Sequence, residues 1–305
     1  MMPTLQFARL LVDARNSLGE SPLWCPRSQL LWWIDVQQPS LWQWDHATGV
    51  TRSWPLPKPP ANISLLEGGG LLIAYRKGFA IVREPAMQPE PLHIGNFQFG
   101  DERFNDGKVD RLGRLWVGSF DRSLERETGR LYRVDTPSSI HAVDAGFGLS
   151  NGIGWSGDSA TMYFADTHAQ CIYRYSFDLR AGEVSHRDVF VEVEPGPGGP
   201  DGLTVDAEGG VWCALFERGR VNRYNADGTL DVSVELPISR PTSCTIGGPT
   251  MRTLFITSAS LGIGDEALKS QPGAGGVFSL DIAQRGLVAQ PFALSKYPSA
   301  RQAQQ

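Results

Sequence analysis

Four short polar stretches of this 305-residue chain hold residue types that can do chemistry. They are Leu18-Gly19-Glu20-Ser21-Pro22, Glu102-Arg103-Phe104-Asn105-Asp106-Gly107-Lys108-Val109-Asp110, Leu149-Ser150-Asn151-Gly152 and Gly199-Pro200-Asp201-Gly202. The carboxylates of Glu20 and Asp201, gathered with the amide oxygens of Asn105 and Asn151, form a cluster that repels itself unless a cation sits among them. All-oxygen ligation suits Ca²⁺, Mg²⁺ or Mn²⁺, and Zn²⁺ also accepts carboxylate oxygen. A second account competes, because Asn-Gly and Asp-Gly pairs are common in turns for backbone reasons alone. Turn chemistry accounts for Asp106-Gly107; it has no need of Arg103 or Asn105.

Whether these stretches meet depends on the elements that carry them. The chain repeats one sentence: a polar turn, a short alternating apolar strand, a second turn and a strand ending in Asp or Asn. Copies begin near Ser21, Lys108, Gly152, Gly202 and Cys244, with a degenerate one from Leu65. Matching positions fall at Trp33, Ile73, Trp116, Tyr163, Trp212 and Phe255, a period of roughly 40 to 50 residues, which suits a four-stranded propeller blade. The apolar pattern has period two rather than 3.6. The expectation is an all-β, six-bladed β-propeller with four-stranded blades around a central channel. It forms one domain over residues 1–305, with about 293–305 as a disordered tail, and an amino-terminal strand from Gln6 to Leu11 closes the last blade. Ile263 to Leu268 reads as a helical turn in a surface insertion. In such a ring the stretches before the first strand of each blade converge at one mouth, and they deliver Glu20, Asn105, Asn151 and Asp201 to equivalent places.

Composition removes several classes. A formal net charge of -5 gives no basic surface for nucleic acid, and no apolar run approaches the roughly 20 residues of a membrane span. No secretory signal is read at the amino terminus, so the expected location is cytoplasmic. Cys25, Cys171, Cys213 and Cys244 lie far apart with no CxxC pair, and are expected to be free thiols rather than a zinc cage. Ser21, Ser119 and Ser150 lie near the inferred site, but no GxSxG elbow accompanies them and none of the five histidines stands as their base, which excludes a serine hydrolase.

LGESPLW with LLWWID, RFNDGKVD with GRLWVGS, LSNGIGWSGD and PDGLTVDAEGGVW together resemble the senescence marker protein/gluconolactonase/regucalcin group of propeller lactonases. The resemblance runs from about Leu18 to Asp281. It implies hydrolysis of a sugar lactone, with glucono-, galactono-, arabinono- and xylono-lactones all open. It further implies one divalent metal ion (Ca, Zn, Mn, Mg or Fe) held by Glu20, Asn151 and Asp201, with Asp201 also the catalytic proton acceptor and donor, and Arg103 and Asn105 as substrate holders. Some relatives place a substrate-binding Glu shortly after the strand that follows; here the chain reads Gly118-Ser119-Phe120-Asp121, so Asp121 is the substitute candidate. A calcium-binding or regulatory propeller without lactonase activity is the alternative. The partner expected is a small-molecule lactone, and the oligomeric state is not legible.

Overall fold

The computed structural model describes residues 3–93, 100–136 and 139–294, and these form six four-stranded blades in a ring, a six-bladed β-propeller. The innermost strands, blade by blade, are Gly19–Cys25, Pro60–Leu65, Glu102–Val109, Ser150–Trp155, Gly199–Val205 and Pro241–Gly247. The six repeat-phase residues read from the sequence all fall on the second strands, Leu30–Asp35, Leu71–Tyr75, Leu115–Asp121, Thr161–Asp166, Val211–Phe216 and Thr253–Ser258. Among the described residues the one helix is Asp265–Ser270, where the helical turn was expected, and no helix is long and apolar enough to cross a membrane. All four cysteines are free.

Closure differs in detail from the expectation of a single amino-terminal strand. The segment breaks at Ala8: Arg9–Val12 pairs antiparallel with Val277–Asp281 and completes the sixth blade. Thr4–Phe7 pairs in parallel with Leu230–Glu235 and adds a fifth strand to the fifth blade. Ala8 is buried between these two blades and its N–H donates to the Glu235 carbonyl, so the chain switches sheets there. At the other end Phe292 is fully buried and bridges to Leu66, and the Ala293 N–H donates to the Gly113 carbonyl at 3.0 Å. The rest of the expected tail, 295–305, lies outside the described residues.

All six innermost strands are interrupted by a register shift at the same point, between Glu20/Leu23, Pro60/Asn62, Phe104/Gly107, Ser150/Ile153, Pro200/Leu203 and Pro241/Ser243. A bulge leaves residues out of the ladder and re-aims their side chains. The turn expected at Asp106-Gly107 is therefore corrected: that pair, like Asn151-Gly152 and Asp201-Gly202, lies within a strand. Glycine is required there by crowding between blades rather than by a left-handed backbone. A Cβ on Gly152 would sit 2.4 Å from the Leu203 nitrogen, and one on Gly202 would sit 1.9 Å from Ser243 Oγ.

The apolar core consists of six separate clusters, each filling the gap between two neighbouring blades. Trp33, Trp116 and Trp212, all fully buried, stand in three different gaps. Two of these indoles are fixed by one repeated device. Asp110 accepts from Trp116 Nε1 at 2.9 Å and Arg114 Nε at 2.7 Å; Asp206 accepts from Trp212 Nε1 at 2.8 Å and Arg223 Nε at 2.7 Å. Both aspartates also collect turn N–H groups, so these buried charges are paired and their lone pairs are used. Asp206→Ala leaves Arg223 and Trp212 Nε1 without that partner, and is expected to cost about 3–5 kcal/mol in urea denaturation. Glu266→Ala, which breaks a solvent-exposed pair with Lys269, is expected to leave the midpoint in place.

Candidate active site

The bulges bring Glu20, Arg103, Asn105, Asn151 and Asp201 to the wall of one cavity of about 180 Å³ on the propeller axis. They reach it from within innermost strands of blades 1, 3, 4 and 5, and not from the preceding loops as expected, because the re-aiming happens inside the strand. The next residue of two bulges, Ser21 and Asp106, faces a second and larger cavity of about 350 Å³ farther along the channel. The layer of bulges thus divides the channel.

Hydrogen bonds settle which way each amide points. The Thr167 hydroxyl donates to the Pro200 carbonyl at 2.7 Å, so its oxygen accepts from Asn151 Nδ2 at 2.8 Å. That leaves Asn151 Oδ1 as the acceptor facing Asn105 Nδ2 at 2.9 Å, and the second Asn105 N–H reaches the Ser150 carbonyl at 2.8 Å. Both amide hydrogens of Asn105 are consumed, and its Oδ1 remains as an acceptor for a ligand hydroxyl. Asn151 Oδ1 keeps one lone pair. Arg103 is placed by its strand partner Phe120, whose ring centroid lies 4.4 Å from the guanidinium carbon. Ser21 has a left-handed φ of 54°, a strained conformation for a serine. It is held by the Ile63 N–H, which donates to Ser21 Oγ at 3.0 Å, while the Ser21 N–H donates to Glu20 Oε2 at 3.1 Å.

Electrostatics separate this site from the rest of the molecule. Burial, then the negative charges of Asp201 and Asp106, push the Glu20 carboxyl well above its usual range. Burial, then Asp106, does the same to Asp201. Burial raises Asp106 to about 6, against a partial offset from Lys108. Lys108 is itself pushed down by burial, and its Nζ donates to the Leu203 carbonyl at 2.9 Å. Among the described residues no ion pair reaches Glu20, Asp106 or Asp201, in contrast to Asp110 and Asp206. Glu20, half-buried, and the buried Asp201 line the cavity together with the Asn151 amide oxygen, a donor set that fits a divalent cation. No three His, Cys, Asp or Glu side chains among the described residues are grouped as metal ligands, so a site here needs the Asn151 amide oxygen beside Glu20 and Asp201.

Asp121 is not brought to this group. It ends the second strand of blade 3, as Asp35 and Asp166 end those of blades 1 and 4. Asp35 and Asp166 each collect four loop N–H groups. Asp121 is bound by Ser123 Oγ and by Arg126 Nη2 at 2.7 Å, and these hold its carboxyl down at about 2. Its carboxylate organises a loop, and the substrate role expected of it is not supported by its position. Sequence reasoning also passed over Thr167, Arg76 and Asp106 as parts of the site. Asp106 had a usable signal, its place beside Asn105 at the repeat phase, but it was read as a turn.

Residues 18–260 match the family described as the SMP-30/Gluconolactonase/LRE-like region. A pentonolactonase from Haloferax volcanii is 35% identical over 282 residues, covering 90% of this chain and 94% of the relative. A 6-deoxy-6-sulfogluconolactonase from Pseudomonas putida is 34% identical, covering 93% and 98%. The crystal structure of a calcium-binding protein, regucalcin, from Agrobacterium tumefaciens superposes with a TM-score of 0.90 at 28% identity, covering 96% of this chain and all of that one.

The raised Asp106 carboxyl makes a signed prediction for metal-free protein. A group whose folded pKa lies above its unfolded value favours the fold below the unfolded pKa and loses that contribution as pH rises through the folded one, here between roughly pH 4 and about 6. Asp106→Asn is therefore expected to stabilise chelator-treated protein by roughly 1–3 kcal/mol at pH 7.5 and by nothing at pH 4. Urea midpoints at the two pH values check it; a variant no more stable than wild type at pH 7.5 contradicts it.

Proposed function

The chain belongs to the SMP-30/gluconolactonase/LRE-like family, and on that premise we propose that it is a sugar lactonase, hydrolysing an aldonolactone to the aldonic acid with a divalent metal ion. One observation carries the reading. Two carboxylates and a guanidinium that form no ion pair among the described residues, with an oriented amide oxygen, line one small cavity, each delivered by a bulge or its flank. A cation site alone has no use for Arg103 or for the exposed Oδ1 of Asn105; a polyhydroxylated ring uses both.

In this reading Glu20, Asn151 and Asp201 hold the metal. A divalent ion bound there supplies Lewis acidity toward the lactone carbonyl. Arg103 donates to the ring's carbonyl or hydroxyl oxygens, and Asn105 Oδ1 accepts from a hydroxyl, which fixes the ring in the cavity. Asp201 takes the proton from the attacking water and returns it to the departing ring oxygen, so that acid and alcohol are released with no net proton uptake by the enzyme. Thr167 acts through Asn151, keeping its oxygen turned to the cavity. Ser21 acts likewise on the Glu20 carboxylate, whose Oε2 its N–H engages.

Asp201→Asn is expected to lower kcat by about 10²–10⁴ while preserving the fold, as read by circular dichroism and a proton-release assay on glucono-, galactono-, arabinono- and xylono-lactones. Full activity in that variant overturns the mechanism. Arg103→Gln is expected to raise KM while the thermal shift caused by added Ca²⁺ or Mn²⁺ persists; wild-type KM in this variant removes Arg103 from substrate binding, and a thermal shift in wild type with no turnover of any lactone favours a calcium-binding propeller instead.

A further inference from the structure

The cavity has a second electrostatic sector, of which the reaction just described uses only Arg103. Arg76, which follows the second strand of blade 2, lines the cavity beside Arg103 of blade 3. Arg122 follows the second strand of blade 3, exposed and outside the cavity lining. Among the described residues none of these three guanidiniums is in an ion pair. Elsewhere the well-buried guanidiniums are matched, Arg114 with Asp110, Arg223 with Asp206 and Arg133 with Asp135. Arg103 Nε is buried and has no hydrogen-bond partner. Two like charges facing one cavity without a counter-ion, Arg76 and Arg103, oppose folding, and a protein keeps such an arrangement where a ligand supplies the missing charge.

From this geometry we propose that the substrate is a sugar lactone bearing an anionic substituent (a carboxylate, sulfonate or phosphate), held by Arg76 and Arg103. The proposal rests on the lactonase reading and refines its substrate class. Neutral hydroxyls are served by one guanidinium fork, whereas a tetrahedral or planar anion matches the paired N–H groups of several. The cavity then orients the ring by charge, the lactone group toward Glu20, Asn151 and Asp201 and the anionic substituent toward blades 2 and 3. Catalytic groups and selectivity groups stand on different blades.

The test compares kcat/KM for aldonolactones that differ only at the terminal carbon, carrying hydroxyl, carboxylate, sulfonate or phosphate. Wild type is expected to prefer an anionic member over the neutral one by about 10- to 100-fold, the range of a charge-assisted hydrogen bond. The three anionic arms identify the group. Arg76→Gln is expected to reduce that ratio, chiefly through KM, with Arg103 retaining part of the preference. Raising ionic strength is expected to raise KM for the anionic lactone and leave KM for the neutral one in place, because the sector is partly open to solvent. Equal kcat/KM for neutral and anionic lactones in wild type, or an unchanged ratio in Arg76→Gln, overturns the proposal and leaves the lactonase reading standing. No turnover of any lactone overturns both.

Discussion

Everything in the site follows from one interruption of the backbone ladder, repeated six times. Side chains on a regular strand alternate between faces, so an uninterrupted innermost strand would send its residues into the gaps with neighbouring blades. The register shift in each innermost strand turns one or two residues toward the axis instead. In blades 3, 4 and 5 that residue is Asn105, Asn151 or Asp201; in blade 1 Glu20 flanks the bulge, still paired with Ile34, and in blades 2 and 6 the bulged places hold Ala61 and Thr242. The same bulges allow innermost strands to touch, which is why glycines 152 and 202 cannot accept a Cβ. Ring closure and site assembly are therefore one constraint.

Much of this was legible in the sequence because blade spacing is a long-range regularity imposed by local chemistry. Trp33, Trp116 and Trp212 recur because each blade gap needs a large apolar plug, and the DRLGRLW and DAEGGVW copies recur because an indole N–H buried in such a gap needs an aspartate. The bulges were not legible. Asn-Gly and Asp-Gly have the statistics of turns, and nothing in a single chain distinguishes a glycine demanded by a left-handed backbone from one demanded by the neighbouring blade. Asp121 misled for a related reason: its position beside the site in sequence is real, but Ser123 and Arg126, only two and five residues on, capture its carboxylate. Thr167, Ser21 and Arg76 act through space on residues 16, 1 and 27 positions away, Asn151, Glu20 and Arg103, and carry no motif of their own.

The buried charges divide into two populations, and the division distinguishes scaffold from site. Asp110 and Asp206 are as deeply buried as Asp201, yet each has a guanidinium, an indole N–H and turn N–H groups around it, so ionisation is supported on all sides. Glu20 and Asp201 have no cationic neighbour and meet other acids instead, which is why burial drives their carboxyls upward. The guanidiniums show the mirror image: Arg114 and Arg223 are paired, while Arg76 and Arg103 line the cavity unpaired. A fold that can satisfy a buried carboxylate with Asp110 geometry twice has the means to do so a third time. Opposite charges within one 180 Å³ cavity that nonetheless form no ion pair with each other are held apart by different blades, and the separation is available to a ligand that is itself polar end to end.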